Sequence, residues 1–561
     1  MSTLGIIFTD TCVLADKYGC RRQEILNVIN AYIRGCVDRG VEWQLVDVGG
    51  HDFDYIFSKD ISWQGYSRAL ADNCAGMGWH TDCNTPLLII GGDDVIPVPI
   101  VTFPVINPKG ETELSRLEVD LYYCFAPYFD LRKEFDGFSG KEYQKDELYN
   151  YFLSRAVFNV SRLPLERGDI PTSVTHDLGG YFERCLATGG TINIDSLLPT
   201  TAFQWHFSTQ LVVENMPLLP LGPSNGVHIG NLFSSPLLRM DDRTSINEYL
   251  SALGKADMLL FNMHGHSTPE YTGFFGESID YSSGNIEQPL AFDIPLLQKC
   301  KAKVLNTEAC FGARYTAQYE GDVVRPYSRS QSMLLSALYD SDVLLYTGAC
   351  ESSYYDLPII KPSDNVDNLR LTSLVDGWLK IFLHLQMQGE PVGLAMLKSK
   401  LRYFVEYADG KDWRHVYTLL EINQFGDTTL RLRVPRYNRA LVEIRNKKAS
   451  AEKAEVVVAA KEKYTPVYSR TSSLPELDAA YADVRASVDT ALMQLSNDLR
   501  RMLADDYRYP TQHLYLTAIL REENTGGHLF VYAHEWQGKS DRGVYIRVDA
   551  SGKVENMTCK L

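Results

Sequence analysis

Residues 256–266 read ADMLLFNMHGH, and residues 300–312 read CKAKVLNTEACFG. Each segment runs through apolar residues and a short polar step to a reactive side chain with a glycine just beyond: His264 before Gly265, and Cys310 two residues before Gly312. Short apolar runs closed by glycine are the pattern of strands buried on both faces of a parallel sheet. Ligand sites in open α/β sheets lie at the C-terminal edge of such strands. Two neighbouring strands of this kind bring an imidazole and a thiol to one edge.

The chain around them has the same character. LGIIFTD, EWQLVDVGG and PLLIIGGDDVIPVP read as strands, separated by helical spacing in RRQEILNVINAYIRGCVDRG, which stops at Gly40, and in SWQGYSRALADNCAGMG. Strands alternating with helices over short connections predict a largely parallel sheet covered on both faces. A helix near 171–188 leads to a second region, where TAFQWHF, ADMLLFNMHGH, AKVLNTEACFG and SDVLLYTGACE read as strands of another sheet. SQSMLLSALY and LVDGWLKIFLHLQMQG read as its helices. Beyond 435 the composition shifts. Residues 439–463 and roughly 474–506 read as helices around the polar break SRTSSLPE, and HLYLTAIL, HLFVYAHEW and GVYIRVDA alternate as antiparallel strands do.

Bulk properties narrow the function classes. The chain has 561 residues, 45% hydrophobic and 22% charged, with a formal net charge of −16. That length predicts more than one domain. The acidic balance argues against nucleic acid or an anionic membrane as partner, because phosphate binding needs a basic face. MSTLGIIFTDTCVLADKYGC lacks a basic start, and no run of about 18 apolar residues occurs, so neither a leader nor a spanning helix is expected. Eleven scattered cysteines suit reduced thiols and a cytoplasmic location better than a disulfide framework.

The chemistry open to the pair is nucleophilic catalysis. A cysteine with a pKa near about 8.5 is mostly thiol at neutral pH, and an adjacent imidazole raises its thiolate fraction. The thiolate attacks a scissile carbonyl, and His264 protonates the leaving amine. Backbone N–H groups of Gly265 and Cys310 are placed to hold the oxyanion, each such donor being worth about 3 kcal/mol. His266 is the alternative base in HGH, but the register counted from the apolar run favours His264. Glu308 reads as a buried hydrogen-bond acceptor, with orientation of the strand end as the alternative.

The two segments together resemble the catalytic pattern of the caspase-like (clan CD) cysteine peptidases, and within that clan the gingipain-like peptidases. DMLLFNMHGH aligns without gaps on the family's histidine segment, and EACFG resembles its cysteine segment. LLIIGGDDVIPVP, DLYYC, NVSRLPL, GEPVGLAMLKSKLRYF and LLEINQFGDTTLRL resemble further landmarks in order, so the likeness covers roughly residues 1–435. The resemblance implies an α/β fold of two caspase-like subdomains with mostly parallel sheets sandwiched by helices. These are a non-catalytic subdomain over 1–170 and a catalytic one over 171–435, followed by an α+β C-terminal domain over 436–561. It implies an endopeptidase acting on peptide or protein substrates without a cofactor or metal. Glu351 (or Asp356) in the next strand's end, with His266, would line the pocket for a basic P1 side chain. The sequence departs from the family pattern at Met263 and Ser161, where glycine is usual, at His266, where a small residue is usual, and at Thr428, where proline is usual.

A regulated intracellular protease, latent until activated, is the expectation. The alternatives are a catalytically inactive caspase-like scaffold and a sensor in which a partner or ligand acts on the C-terminal domain. Cys74, His80 and Cys83 are too loosely spaced for a four-ligand zinc site, and no nucleotide-binding glycine motif occurs.

Overall fold

The structure, a computed structural model, describes residues 3–49, 62–106, 112–138, 143–166, 172–201, 249–267, 272–276, 278–280, 285–287, 290–315, 328–353, 374–407, 413–434, 464–469, 514–522, 528–536, 539–549 and 554–560, with 209, 212, 219–220 and 228–229. The elements that build the site are, in chain order, β1 (Thr3–Thr9), α1 (Arg22–Gly35), β2 (Val41–Asp47), α2 (Trp63–Gly76), β3 (Pro86–Ile90), β4 (Asn159–Leu163), α3 (Gly180–Ala187), β5 (Ser196–Thr201), β6 (Met258–Asn262), β7 (His264–Ser267), β8 (Thr272–Phe275), β9 (Val304–Thr307), α4 (Met333–Asp340), β10 (Leu345–Ala349), α5 (Leu374–Met387), α6 (Val392–Tyr407), α7 (Trp413–Glu421) and β11 (Ile422–Gly426).

Local chemistry explains the boundaries. Helix α2 starts where the Ser62 hydroxyl accepts the Gly65 N–H, and α4 starts where Ser332 accepts the Leu335 N–H. After α1 a short 3₁₀ turn ends at Gly40, which adopts φ 73°, a left-handed conformation that glycine takes without a Cβ clash. The DLYYC segment forms a 3₁₀ turn over Asp120–Cys124.

One sheet runs through both halves of the chain, in the order β5-β6-β9-β10-β11-β4-β3-β1-β2, with short strands at 228–229 and 219–220 pairing with β5. Every pairing in it is parallel except β10 with β11. The fold is therefore mixed α/β with a large, mostly parallel sheet flanked by helices. Ile25, Ile29 and Tyr32 of α1 and Leu379, Phe382 and Leu383 of α5 join the same core as Ile6, Ile7 and Phe8 of β1. Fully burying each such side chain contributes about 1.5–3 kcal/mol.

The expected separate second sheet is corrected by β11. This strand is buried throughout and pairs antiparallel with β10 on one edge and parallel with β4 on the other, through Phe425 and Arg162. A buried strand must satisfy both rows of backbone groups, so it joins the two sets of strands into one sheet. Two of the departures from the family pattern lie at this seam. The Ser161 hydroxyl donates to the Gly426 carbonyl at 2.6 Å, and Thr428 Oγ1 donates to Asn159 Oδ1 at 3.0 Å. Beside them the Arg162 guanidinium, fully buried, grips the Asp120 carboxylate at 2.6 Å and donates to the Gly91 and Ile96 carbonyls.

At the C-terminal end, strands Tyr464–Ser469, Leu514–Glu522, His528–Trp536, Lys539–Val548 and Val554–Lys560 form an antiparallel meander. The helices expected at 439–463 and 474–506 lie outside the described residues. The expected strand TAFQWHF is described only at Thr201 and Thr209 at its margins, the strand itself being Ser196–Thr201. Among the described residues no helix is long and apolar enough to cross a membrane.

Candidate active site

Strands β6 and β9 are parallel neighbours with Phe261 opposite Thr307, so both deliver their ends to one edge of the sheet. The Glu308 N–H donates to the Phe261 carbonyl at 2.8 Å and extends the ladder one residue further. Beyond Asn262 the chain makes a one-residue step at Met263 and enters β7, where His264 faces Phe275 and Gly265 faces Phe274 of β8.

Beyond Glu308 the chain turns tightly. The Ala309 N–H donates to Thr307 Oγ1 at 3.1 Å, and Gly312 N–H to the Ala309 carbonyl at 3.0 Å. Phe311, directly after Cys310, adopts φ 56° and is the one positive-φ residue other than glycine among those described. An aromatic side chain in that region costs about 1–3 kcal/mol and is held there by its surroundings. Those surroundings are the segment after β10: Phe311 N–H donates to the Glu351 carbonyl and Ala313 N–H to the Ala349 carbonyl, both at 2.9 Å.

The two reactive segments meet at Gly265. A Cβ built on it would lie 1.7 Å from the Cys310 carbonyl oxygen and 3.2 Å from Ala309 Cβ. Glycine is needed here for close backbone approach within an extended strand.

Cys310 is partly buried, and its sulfur is engaged at both ends by Ser353. The Ser353 N–H donates to Sγ at 3.2 Å, and the thiol points to the Ser353 carbonyl at 3.6 Å. Burial pushes the Cys310 thiol up to about 11, the Ser353 N–H opposes that rise, and the nearby Glu421 and Glu351 carboxyls add to it. The expected thiolate is therefore disfavoured in this conformation, because partial burial and the nearby acids both favour the thiol.

Glu351 lies beside the Cys310 turn, as its sequence position suggested, but its carboxylate is 3.5 Å from Arg314. Burial raises its pKa, and Arg314 and the Ser352 N–H pull it back. His266 pairs opposite Gly273 in the β7–β8 ladder. Its side chain lies outside the described residues, as does Asp356. Among the described residues no group of three or more His, Cys, Asp or Glu converges to hold a metal ion.

Sequence reasoning missed Ser353, Glu421, Asn262 and Asp376. Glu421 is fully buried at the junction of α7 and β11, where burial pushes its carboxyl well up, and the Lys400 charge and the Ser353 hydroxyl oppose that rise. Asn262 and Asp376 carried a signal, each being a lone polar residue in an apolar run, MLLFN and LVDGWL. Ser353 carried none, since a serine in a polar loop is unremarkable.

No protein-family profile matches this chain, and no curated protein matches it. Among solved structures it is similar to the separase of Saccharomyces cerevisiae in its complex with securin. The identity is 11%, the TM-score 0.28, and the match covers 51% of this chain and 15% of that one. A TM-score that low carries no structural argument.

Proposed function

We propose that the chain is a cysteine endopeptidase of caspase-like type, with Cys310 as nucleophile and His264 as general acid and base. The observation that carries this reading is the contact of Gly265 with the Cys310 carbonyl at the shared C-terminal edge of β6 and β9. The Cys310 sulfur forms a bond to the scissile carbonyl carbon, and the Gly265 and Cys310 N–H groups receive the oxyanion. His264 gives a proton to the departing amine, then takes one from the water that hydrolyses the thioester. Residues 1–170 support the catalytic unit at 171–435, and 436–561 form a third unit open to an activating partner or ligand.

The described conformation is the latent one in this proposal. Ser353 occupies both hydrogen-bonding directions of the sulfur, and the thiol is held neutral. Activation moves Ser353 away and lets His264 share the proton. The same neutral thiol also fits an inactive scaffold. Peptide-library cleavage by the wild type beside Cys310→Ala and His264→Ala decides between them. Cleavage lost in both variants supports the dyad, loss in Cys310→Ala alone moves the base to His266, and a wild type inert to substrate and to thiol reagents favours the scaffold.

A further inference from the structure

Under the two strand ends lies a polar cluster that the peptidase chemistry leaves unused. Asn262 is two residues before His264, Glu308 is two residues before Cys310, and Asp376 projects from the first turn of α5; all three are fully buried. Asn262 Nδ2 donates to Asp376 Oδ1 at 3.3 Å, and the Asp376 carboxyl acts electrostatically on the Glu308 carboxyl beside it.

Two carboxyls in contact in a dry site cannot both be ionised, so the pair retains a proton. Burial, with Asp376 as the acid facing it, pushes Glu308 well above the ordinary carboxyl range. With one proton between them, one carboxyl of the pair is able to donate to the other. The chain of contacts runs from β6 through α5 to the turn that carries Cys310. Apolar residues would fill this volume at lower cost, since burying acids is expensive. What they would not supply is directional bonds from one helix to both strand ends.

We infer that Asp376 is a positioning residue: by bonding Asn262 and Glu308 it fixes the His264 and Cys310 segments to α5, and so keeps Gly265 against the Cys310 carbonyl. The inference rests on the peptidase reading only for the consequence in turnover; the positioning itself concerns Cys310 whether or not a peptide is cut.

The test compares full-length wild type with Asp376→Leu, Asp376→Asn and Glu308→Gln. It measures iodoacetamide alkylation of Cys310, the pH dependence of thermal unfolding, and kcat and KM on a cleaved peptide. Asp376→Asn and Glu308→Gln keep the shape and a bonded chain and should alkylate within about threefold of wild type. Asp376→Leu, which packs but bonds neither strand, should change the Cys310 alkylation rate at least tenfold and lower kcat with KM unchanged. Stability of the wild type should fall as pH rises above the ordinary carboxyl range, and Glu308→Gln should flatten that fall.

Equal alkylation and kcat in Asp376→Leu and wild type would overturn the inference. If Asp376→Leu does not fold, Asn262→Leu takes its place with the same expectation. A wild type that cuts no peptide but shows the alkylation difference is the latent enzyme, and the positioning role stands on the alkylation readout.

Discussion

The Cys310 carbonyl oxygen occupies the space that a side chain at Gly265 would need, 1.7 Å from where its Cβ would sit. The two residues follow the adjacent strands β6 and β9, whose register is set below them, at Phe261 and Thr307. The strand that carries His264 is thus seated on the main chain of the cysteine, and a movement of one displaces the other.

Gly265→Ala should consequently separate the two segments. Forcing a methyl into a filled site costs about 1–3 kcal/mol. The expected result is a lower Tm together with a changed rate of Cys310 alkylation. An alanine variant with wild-type Tm and alkylation would mean that the contact is not tight in solution.

Alkylation of Cys310 against pH should give a half-maximal rate near pH 11, since the thiol is pushed up to about 11. Glu351→Gln removes a negative charge that favours the thiol and that lies 3.5 Å from Arg314. Its midpoint should move to lower pH. An upward move would show that Glu351 does not act on the sulfur through its charge.

Lys400 of α6 is buried, donates to the Ile422 carbonyl, and is lowered by burial to about 8, with the acids and thiols around it opposing that shift. A lysine depressed in the folded state binds fewer protons there than in the unfolded chain between about pH 8 and its usual ~10.5. Stability from this group therefore rises with pH across that window, by about 3 kcal/mol in all. Urea unfolding at pH 7.5, 9 and 10 should show the rise in wild type and its loss in Lys400→Met.

Arg162→Met should be the most damaging change at the seam. It leaves the buried Asp120 carboxylate without its guanidinium and strands the Gly91 and Ile96 carbonyls. Breaking a buried pair from one side costs about 3–5 kcal/mol. Ser161→Ala, which loses one hydrogen bond to Gly426, should cost about 1 kcal/mol. Denaturant midpoints of the two variants should separate accordingly, and equal midpoints would mean that the ion pair contributes no more than the hydroxyl.

Much of the fold was legible in local pattern. The apolar runs at Ile6–Phe8, Leu87–Ile90, Met258–Phe261 and Val304–Leu305 are strands because a strand buried on both faces admits little else, and that constraint is written in consecutive residues. Gly40 marked the stop of the first helical stretch because a left-handed turn needs that residue type there. The same local logic put His264 and Cys310 at strand ends, whereas β6 ends at Asn262 and β9 at Thr307, with His264 two and Cys310 three residues beyond.

Other features depended on residues far apart in sequence. The single sheet arises because Ile422–Gly426 finds partners on both edges, in strands ending at 163 and 349. The Cys310 thiol is raised by burial, pulled back by the Ser353 N–H and raised again by Glu421 and Glu351, and Glu308 is raised by burial and by Asp376, which is 68 positions further on. A residue's type states which proton it can hold. Whether it holds it depends on the dielectric and the charges gathered around it, and only the assembled core brings those together.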